Sequence, residues 1–493
     1  MHASRIPAEV FFLDRASARP LQAQIRESVV TAILSQLILP GSRMPSSRNL
    51  AAHLGVARMT VTLAFQELVA QGYLETVSRS AYVVAESEAL TRLTLDDPMG
   101  HPPDAVSWRN ILASSLTTRR RVVKPHDWRS MKYPFAYGQM DGTLFNHSAW
   151  RDCARQAMGK RDFDELAGDF AHHDDPLLLN YIRARALPRR GISVTADQIL
   201  VTVGAQNALW LVIELLTRRP LRAVCENPGY PDTRQALRWC GAEVTTVNVD
   251  GHGLPPDRIP RGISAVFVTP SHHAPTGATM PPARRRELLA NADSRDFVII
   301  EDDYEFEMSF LEAPSPALKS YDRSDRVLYV GSFSKALFPG LRLGYLVGPP
   351  AVIAEARELR SMMLRHPPGH LQRTAAYFLG QGHYELLVRD MRRQFARRRQ
   401  AMQAALARTD LQIAGAARFG GSSLWIKGPP GLDASVLEKE LLQDSVLIES
   451  GAPFFAGTGR PTEYFRLGYS SIAEERIAEG IELIDQRVRV LTR

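Results

Sequence analysis

Short, uninterrupted apolar runs recur through the C-terminal part of the chain, with helical stretches between them. Strands that helices cover on both faces show such continuous runs, whereas half-exposed strands alternate between apolar and polar residues. The pattern therefore predicts an α/β domain with a mostly parallel sheet, which we place at residues 126–493. The runs predicted to form its strands are "ILVTVG", "LRAVCEN", "EVTTVNV", "SAVFVTP", "FVIIEDD", "RVLYVGS" and "LGYLVG".

Residues 1–84 show a different pattern, a small helical unit that ends in a hairpin. Its first helix carries apolar residues four apart on one face, namely Leu21, Ile25, Val29 and Ile33. Ser46 can cap a second helix over residues 49–54, a third helix covers about 58–70, and two short strands flank residues 78–81. Two helices with a glycine-containing turn, followed by a hairpin, are typical of a winged helix-turn-helix unit, whose second helix enters the major groove of DNA.

Charge within this unit is arranged as a DNA-binding surface requires. Residues 28–66 contain three arginines and neither Asp nor Glu. Hydroxyl side chains in the same stretch, Ser47 among them, can donate to phosphates or base edges. We predict DNA contacts by Arg43, Ser46, Arg48, Arg58, Thr60 and Thr62. The alternative is a small three-helix interaction domain with a solvated arginine face.

One continuous stretch of the N-terminal unit carries a family resemblance. The text "ILPGSRMPSSRNLAAHLGVARMTVTLAFQELVAQGYLETVSRSAYVV" is similar to the GntR-type winged-helix family. Two positions depart from that family, because Ala57 stands where a serine usually caps the recognition helix and "SRSAYVV" lacks the usual Gly-x-Gly of the wing. The resemblance implies operator DNA as a partner.

In the C-terminal domain, "YVGSFSKALFPGLRLGYLVG" brings together one amine, two hydroxyls and a guanidinium: Lys335, Ser332, Ser334 and Arg342. A lysine amine forms a Schiff base with an aldehyde, and phosphate is bound by several donors and an arginine fork. A pyridine nitrogen needs a carboxylate, which Asp302 or Asp303 can supply, and Tyr230 can stack on a ring. These residues follow predicted strands, whose carboxyl ends bind ligands in such sheets.

Each of these residues also has a simpler interpretation. Lys335 alone could be a solvated surface lysine, and "EDDY" could be an acidic loop that pairs with Arg342 or forms part of a metal site. His272 and His273 also suggest a metal. No third ligand has a recognisable spacing, so we predict no metal site.

From about residue 130 onward, the order of motifs resembles the fold-type I aminotransferases of the aspartate aminotransferase superfamily. The matching motifs are "VTVGAQNAL", "ENPGY", "TPSHHAPTG", "EDDYEFE", "GSFSKALFPGLRLGY" and "FRLGYS". The resemblance implies pyridoxal 5'-phosphate as cofactor, with Lys335 as its Schiff-base lysine. It also implies Asp302 at the pyridine nitrogen, with Asp303 as the second choice, Tyr304 at the phenolic oxygen and Tyr230 against the ring.

The same resemblance implies how the two ends of the site are used. The phosphate would be held by Ser332, Ser334, Arg342 and the backbone of Ala205 and Gln206. Arg466 would bind the carboxylate of a ligand. At Ala274 the chain departs from the aminotransferases, which have an asparagine that bonds the phenolic oxygen. We therefore expect no robust transaminase activity.

A GntR-type winged helix ahead of an aminotransferase-like domain, with a linker that we place at residues 85–125, resembles the MocR family of transcriptional regulators. The resemblance implies a homodimer that binds operator DNA and senses a small amino compound through its cofactor. Three alternatives stay open. They are a genuine aminotransferase with an accessory DNA-binding domain, a regulator that senses pyridoxal phosphate itself, and a large domain that serves only for dimerisation.

Composition narrows the remaining possibilities. The chain has 493 residues, of which 45% are hydrophobic and 23% are charged, as in soluble multidomain proteins. It lacks an apolar run of about 18 residues and a signal peptide, so we predict no membrane partner. Its three cysteines, Cys153, Cys225 and Cys240, are scattered, and we expect a cytoplasmic protein. A net charge of +7 permits a polyanionic partner.

Overall fold

A computed structural model describes most of the chain and separates it into two compact units, Met1–Ser115 and Leu116–Arg493. The described residues are 6–15, 17, 19–35, 37–78, 81–85, 112, 116, 122, 124–169, 172–312, 315–415 and 417–492.

The N-terminal unit has the elements of a winged helix-turn-helix, as predicted. Its helices are α1 (Leu21–Leu34), α2 (Ser47–Leu54) and α3 (Arg58–Ala70), and its antiparallel hairpin is β1 (Leu74–Ser78) with β2 (Ala81–Val84). Helix α2 begins two residues earlier than predicted, because it starts directly after its cap: the Asn49 amide donates to Ser46 Oγ at 3.2 Å. Gly55 ends α2 in a left-handed conformation, with φ 61°.

A seven-stranded sheet forms the centre of the C-terminal unit, and its strands are the seven predicted runs. They are β4 (Ile199–Thr202), β5 (Arg222–Asn227), β6 (Glu243–Asn248), β7 (Ala265–Val268), β8 (Val298–Asp303), β9 (Val327–Ser332) and β10 (Gly344–Val347). The order across the sheet is β4-β10-β9-β8-β7-β5-β6. Within this sheet β10 runs in the direction opposite to the other six strands. The predicted fold, with a mostly parallel sheet, is confirmed.

Helices cover this sheet and build a second layer of the C-terminal unit. They are α4 (His147–Ala157), α5 (Lys160–Leu166), α6 (Pro176–Tyr181), α7 (Gly204–Leu216), α8 (Pro231–Trp239), α9 (Pro282–Arg295), α10 (Pro350–Leu364), α11 (Gly369–Gly380), α12 (His383–Leu406), α13 (Ala434–Leu441) and α14 (Ile477–Leu491). Most strands of the sheet are buried between them, whereas the edge strand β6 is only partly covered. In the part of the chain described here, no helix is both long and apolar enough to cross a membrane.

Smaller strands near the C-terminus were not predicted. Four of them form an antiparallel sheet in the order β11-β12-β15-β14: β11 (Gln412–Ile413), β12 (Ser423–Lys427), β14 (Glu449–Ser450) and β15 (Tyr464–Gly468). The remaining pair is β3 (Tyr133–Pro134) with β13 (Val446–Leu447), which run parallel. This pairing joins the start of the domain to a segment more than 300 residues away, so no local pattern could reveal it.

The reversed strand β10 gathers the candidate site residues at one edge of the large sheet. Parallel strands β8 and β9 end there at Asp303 and Ser332, and the chain leaves β4 there to begin α7. Because β10 is antiparallel, it begins at this edge, with Gly344 opposite Ser332. Its register therefore places Arg342, two residues earlier, beside the ends of the neighbouring strands.

Candidate functional site

A cavity of about 480 Å³ opens at this edge of the sheet. All residues that the sequence suggested for the C-terminal site line it, except the second choice Asp303: Ala205, Gln206, Tyr230, Asp302, Tyr304, Ser332, Ser334, Lys335, Arg342 and Arg466. Ala274, the position where the chain departs from the aminotransferases, lines it as well. Sequence reasoning missed other members of the wall, among them Lys124 and Tyr137.

Asp302 and Asp303 differ in what they face, because successive residues of a strand point to opposite sides. Asp303 Oδ2 accepts from Arg190 Nε at 2.6 Å and from the Tyr329 hydroxyl at 2.8 Å, in the core. Asp302 lines the cavity, and its Oδ1 is buried with no hydrogen-bond partner. Burial, together with the charge of Asp303, raises the pKa of Asp302 to about 7. Asp302 is therefore the carboxylate that a cationic ring nitrogen would meet.

Lys335 is held in the cavity wall as a candidate nucleophile. Its Nζ lies 4.5 Å from the centroid of the Tyr137 ring, and burial lowers its pKa to about 8. A lower pKa increases the neutral fraction of an amine at neutral pH, and the neutral amine is the form that attacks a carbonyl carbon. A Cβ at residue 138 would collide with Nζ, so Gly138 provides the space that the amine occupies.

The end of the cavity beside α7 is rich in hydrogen-bond donors. Ala205 and Gln206 lie in the first turn of α7, where backbone amides lack partners within the helix. Arg342 holds a left-handed backbone conformation, with φ 52°, which is sparsely populated by residues other than glycine. A Cβ on Gly204 would stand 3.1 Å from its guanidinium. The buried Oγ of Ser334 has no hydrogen-bond partner.

Two tyrosines complete the wall between these groups. The Tyr230 hydroxyl lies 3.1 Å from Gln206 Oε1 and 3.0 Å from Asp232 Oδ2, so it can donate to either oxygen. Tyr304 is half-buried beside His272, with ring centroids 6.2 Å apart. Burial raises the pKa of the Tyr304 hydroxyl well above its ordinary value, which keeps it a hydrogen-bond donor at neutral pH.

At the far end of the cavity, Arg466 is already paired. Its Nε and Nη2 donate to Oε2 of Glu449 at 2.9 and 2.5 Å, and its guanidinium lies 3.6 Å from the centroid of the Tyr137 ring. Lys124 Nζ stands 2.7 Å from the other oxygen of Glu449. Burial alone would raise the pKa of Glu449, but the charges of Arg466 and Lys124 outweigh it and hold the pKa at about 2.

Neither Glu449 nor Lys124 was singled out from the sequence. Glu449 and Arg466 face each other only because β14 and β15 pair in a register that sets them opposite, and Lys124 falls in the stretch assigned to the linker. A signal existed only for Arg466, through the motif "FRLGYS".

In the N-terminal unit, the three predicted arginines are exposed: Arg43, Arg48 and Arg58. Thr60 and Thr62 are half-buried, and the Thr62 hydroxyl donates to the Arg58 carbonyl at 3.0 Å. Ser46 caps α2, as described above. Ser47 differs from the expectation, because it is buried and its Oγ accepts from Arg58 Nε at 3.4 Å, which makes it a support for that arginine.

Among the described residues, no group of three or more His, Cys, Asp or Glu side chains is placed to hold a metal ion. His273 is buried 3.5 Å from Glu226, and burial lowers the pKa of this histidine to about 3. His272 lies 3.3 Å from Glu305, behind the residues that line the cavity.

Two family models match the chain. The model "Aminotransferase class I and II" covers residues 140–484, and "Bacterial regulatory proteins, gntR family" covers residues 21–84. Among solved structures, LysN, the alpha-aminoadipate aminotransferase of Thermus thermophilus, is 27% identical with a TM-score of 0.68. That match covers 78% of this chain and 99% of the other.

Two curated proteins are similar to most of this chain. The HTH-type transcriptional regulator TauR of Rhodobacter capsulatus is 48% identical over 98% of this chain and all of the relative. The probable rhizopine catabolism regulatory protein MocR of Rhizobium meliloti is 32% identical over 80% of this chain and 79% of the relative.

The chain belongs to the MocR-type family of transcriptional regulators, in which a GntR-type DNA-binding domain precedes an aminotransferase class I and II domain. The cavity fits the cofactor of that domain: Asp302 Oδ1 and Ser334 Oγ are buried and lack protein partners, and Lys335 and Arg342 face the same space. Pyridoxal 5'-phosphate is therefore the cofactor, as predicted.

Proposed function

We propose that this regulator senses a small molecule that carries both a primary amine and an anionic group, and that occupancy of the cavity alters its affinity for operator DNA. One observation carries the proposal: Lys335 and Arg466 line the same cavity, together with the groups that fit the cofactor. The bound cofactor supplies an aldehyde carbon at which a primary amine can replace that of Lys335.

Each lining residue has a role in this proposal. Ser332, Ser334, Arg342 and the first turn of α7 bind the phosphate. Asp302 would hold the proton of the ring nitrogen, Tyr304 would donate to the phenolic oxygen, and Tyr230 would pack against the ring. At the other end of the cavity, Arg466 attracts the anionic group of the ligand, for which an amino carboxylate or an amino sulfonate is the matching class.

Turnover of such a ligand is slow in this proposal. Ala274 contributes only a methyl group to the cavity wall, so the phenolic oxygen receives one donor fewer than in the aminotransferases that have asparagine there. Ala274 would therefore leave proton abstraction from the ligand less well supported, which suits a sensor that holds its ligand. An assay of product formed per cofactor under single- and multiple-turnover conditions tests this, and sustained turnover would favour a true aminotransferase.

The effector class is tested with matched compounds on the full-length protein with its cofactor. Amino carboxylates and amino sulfonates of increasing length are compared with amines that lack the acid and with acids that lack the amine. We expect only the bifunctional compounds to change the cofactor's absorption and the operator affinity together. The proposal is wrong if none of them acts while added pyridoxal phosphate alone changes operator affinity.

That second outcome would identify a cofactor sensor, which one relative makes a specific alternative. The HTH-type pyridoxine biosynthesis transcriptional regulator PdxR of Corynebacterium glutamicum is 30% identical over 78% of this chain. The two functions separate in one titration, since a cofactor sensor responds to the cofactor in the absence of any amine.

We also infer that the regulator acts as a homodimer. The family resemblance supports a dimer, and Met362 and Met363 at the end of α10 are 83% and 48% exposed, which is unusual for neighbouring apolar side chains. Sedimentation velocity tests the inference, and a monomer at the concentrations used for operator binding would contradict it.

A further inference from the structure

Lys124 is a charged cavity residue that the family relationship leaves unexplained. It lies outside the matched aminotransferase region, residues 140–484, in the stretch that the sequence marked as linker. Its side chain nevertheless lines the cavity together with Val122, and it is 23% exposed. Two residues near the start of the C-terminal unit, Val122 and Lys124, thus contribute to the wall of the cavity.

Lys124 and Arg466 are held as a pair by a carboxylate. Both side chains line the cavity, and Glu449, which is 1% exposed, contacts one of them through each of its oxygens. Oε1 meets Lys124 Nζ at 2.7 Å, and Oε2 meets Arg466 Nη2 at 2.5 Å. A buried carboxylate between two cations fixes both in position, because moving either would leave the carboxylate short of a partner.

The cluster of Lys124, Glu449 and Arg466 carries one net positive charge among its three side chains, and the nearby Glu438, whose pKa burial raises to about 7, offsets it only in part at neutral pH. Two cations share one carboxylate, and the low pKa of Glu449 keeps that carboxylate ionised at neutral pH. A single additional anion would neutralise the cluster, since a buried excess charge is costly unless it is paired. The lysine also acts on the cavity electrostatically, because it is among the groups that lower the pKa of Lys335.

From this geometry we propose that the anionic group of the effector binds between Lys124 and Arg466. Lys124 is then a ligand-binding residue, and Glu449 is the residue that positions both cations. The identity of the effector in this inference rests on the proposed function, whereas the anion site itself does not. A singly charged carboxylate or sulfonate is the group that matches the one excess charge.

The position of Lys124 in the chain gives the contact a regulatory consequence. Residue 124 lies a few positions after Leu116, where the C-terminal unit begins. An anion that contacts Lys124 stabilises the state in which this side chain lines the cavity, and only such a differential interaction can shift a conformational balance. Ligand occupancy is thereby coupled to the position of a residue near the start of the C-terminal unit.

The anion site is tested first without any amine. The full-length protein with its cofactor is acetylated under limiting conditions in the presence of propanoate, methanesulfonate or uncharged propanamide, and each lysine is quantified by mass spectrometry. We expect the two anions, but not propanamide, to protect Lys124. Lys132 is the internal control, because it pairs with Glu479 on the surface at 3.1 Å and is 55% exposed.

A second measurement uses variants of the two lysines. Lys124→Gln should weaken the response to the bifunctional amines of the panel by on the order of 10-fold, as expected for one charged hydrogen bond. Lys124→Arg should restore much of it. Lys132→Gln makes the same change of charge in the same stretch of chain, outside the cavity, and should leave the response unchanged.

The outcomes separate this inference from the proposed function. If neither anion changes the labelling of Lys124, the inference is overturned, even when amines still change the absorption spectrum. If anions protect Lys124 but no amine acts, the anion site stands and the proposed effector class is wrong. Protection that survives Arg466→Gln undiminished would place the anion on Lys124 alone and would contradict the paired site.

Discussion

The two ends of the cavity are built in opposite ways. At the α7 end, one buried donor is left without a protein partner, the Oγ of Ser334, and the exposed guanidinium of Arg342 beside Gly204 lines the same cavity. At the other end, Arg466 and Lys124 already share the carboxylate of Glu449.

This difference indicates that a phosphate would stay bound at the α7 end and that an anion at the Arg466 end would exchange. Buried polar groups that lack partners carry a desolvation cost, which a resident ligand removes by pairing with them, so that ligand binds tightly. Cations that are already paired gain less from a second anion, and the ligand that supplies it can leave again. The α7 end is thus suited to a permanent phosphate, and the Arg466 end to an exchangeable effector.

The largest expected effect comes from removing the amine between the two ends. Lys335→Ala should abolish borohydride-dependent fixation of the cofactor to the protein, because Lys335 supplies the amine that reacts with the cofactor's aldehyde. The cofactor should still be retained through the α7 end. Intact mass after reduction, and cofactor content after dialysis, check both statements. A label on another lysine would contradict the assignment.

The neighbouring carboxylates Asp302 and Asp303 should respond oppositely to amidation. Asp303→Asn leaves the buried Arg190 without its charge partner, and breaking a buried pair costs about 3–5 kcal/mol in the free energy of unfolding. Denaturant unfolding of the cofactor-free protein measures this loss. Asp302→Asn is the matched control, since Asp302 has no such partner, and equal losses for both variants would contradict the assignment of their faces.

Asp302 should also leave a pH signature in the cofactor-free protein. Its pKa is about 7 in the folded chain against an ordinary value of about 3.9, so the folded state holds a proton that the unfolded state has lost between these values. Stability from this group therefore falls as pH rises from about 4 to about 7. Asp302→Asn should remove that fall, amounting to at most about 4 kcal/mol, and should match the wild type near pH 4.

If the difference between the two cavity ends holds, the two arginines should affect different ligands. Arg342→Ala should weaken cofactor binding by about 1.5–3 kcal/mol, the contribution of a charged hydrogen bond. Arg466→Gln should leave cofactor affinity nearly unchanged and weaken the response to the effector. Cofactor dissociation constants from absorption titration measure both. Similar losses of cofactor affinity in the two variants would remove the distinction between the ends.

The smallest expected effect lies in the N-terminal unit. Arg58→Ala or Arg48→Ala should reduce the slope of log affinity against log salt for operator DNA by about one for each phosphate that the variant no longer neutralises. Arg19→Ala serves as a control, because Arg19 is paired with Glu27 at 2.7 Å. If neither variant changes the slope or the affinity, the arginine face is not the DNA-binding surface.

Local sequence patterns predicted much of the fold. The seven apolar runs became the seven strands of the large sheet, and helix α3 spans the expected residues, because burial on both faces and helical periodicity are recorded in consecutive residues. The short strands β3 and β13 escaped prediction, since each depends on a distant partner and has little pattern of its own.

The site shows the same division. The sequence by itself determined which chemical groups are present, namely an amine, an arginine with two hydroxyls and a pair of adjacent carboxylates, because residue type and spacing are local properties. Only the tertiary structure decided that Asp302 rather than Asp303 faces the cavity, since neighbouring strands define its two faces. It also decided that Arg466 shares Glu449 with Lys124, because strand register and the path of the incoming chain join residues more than 300 positions apart.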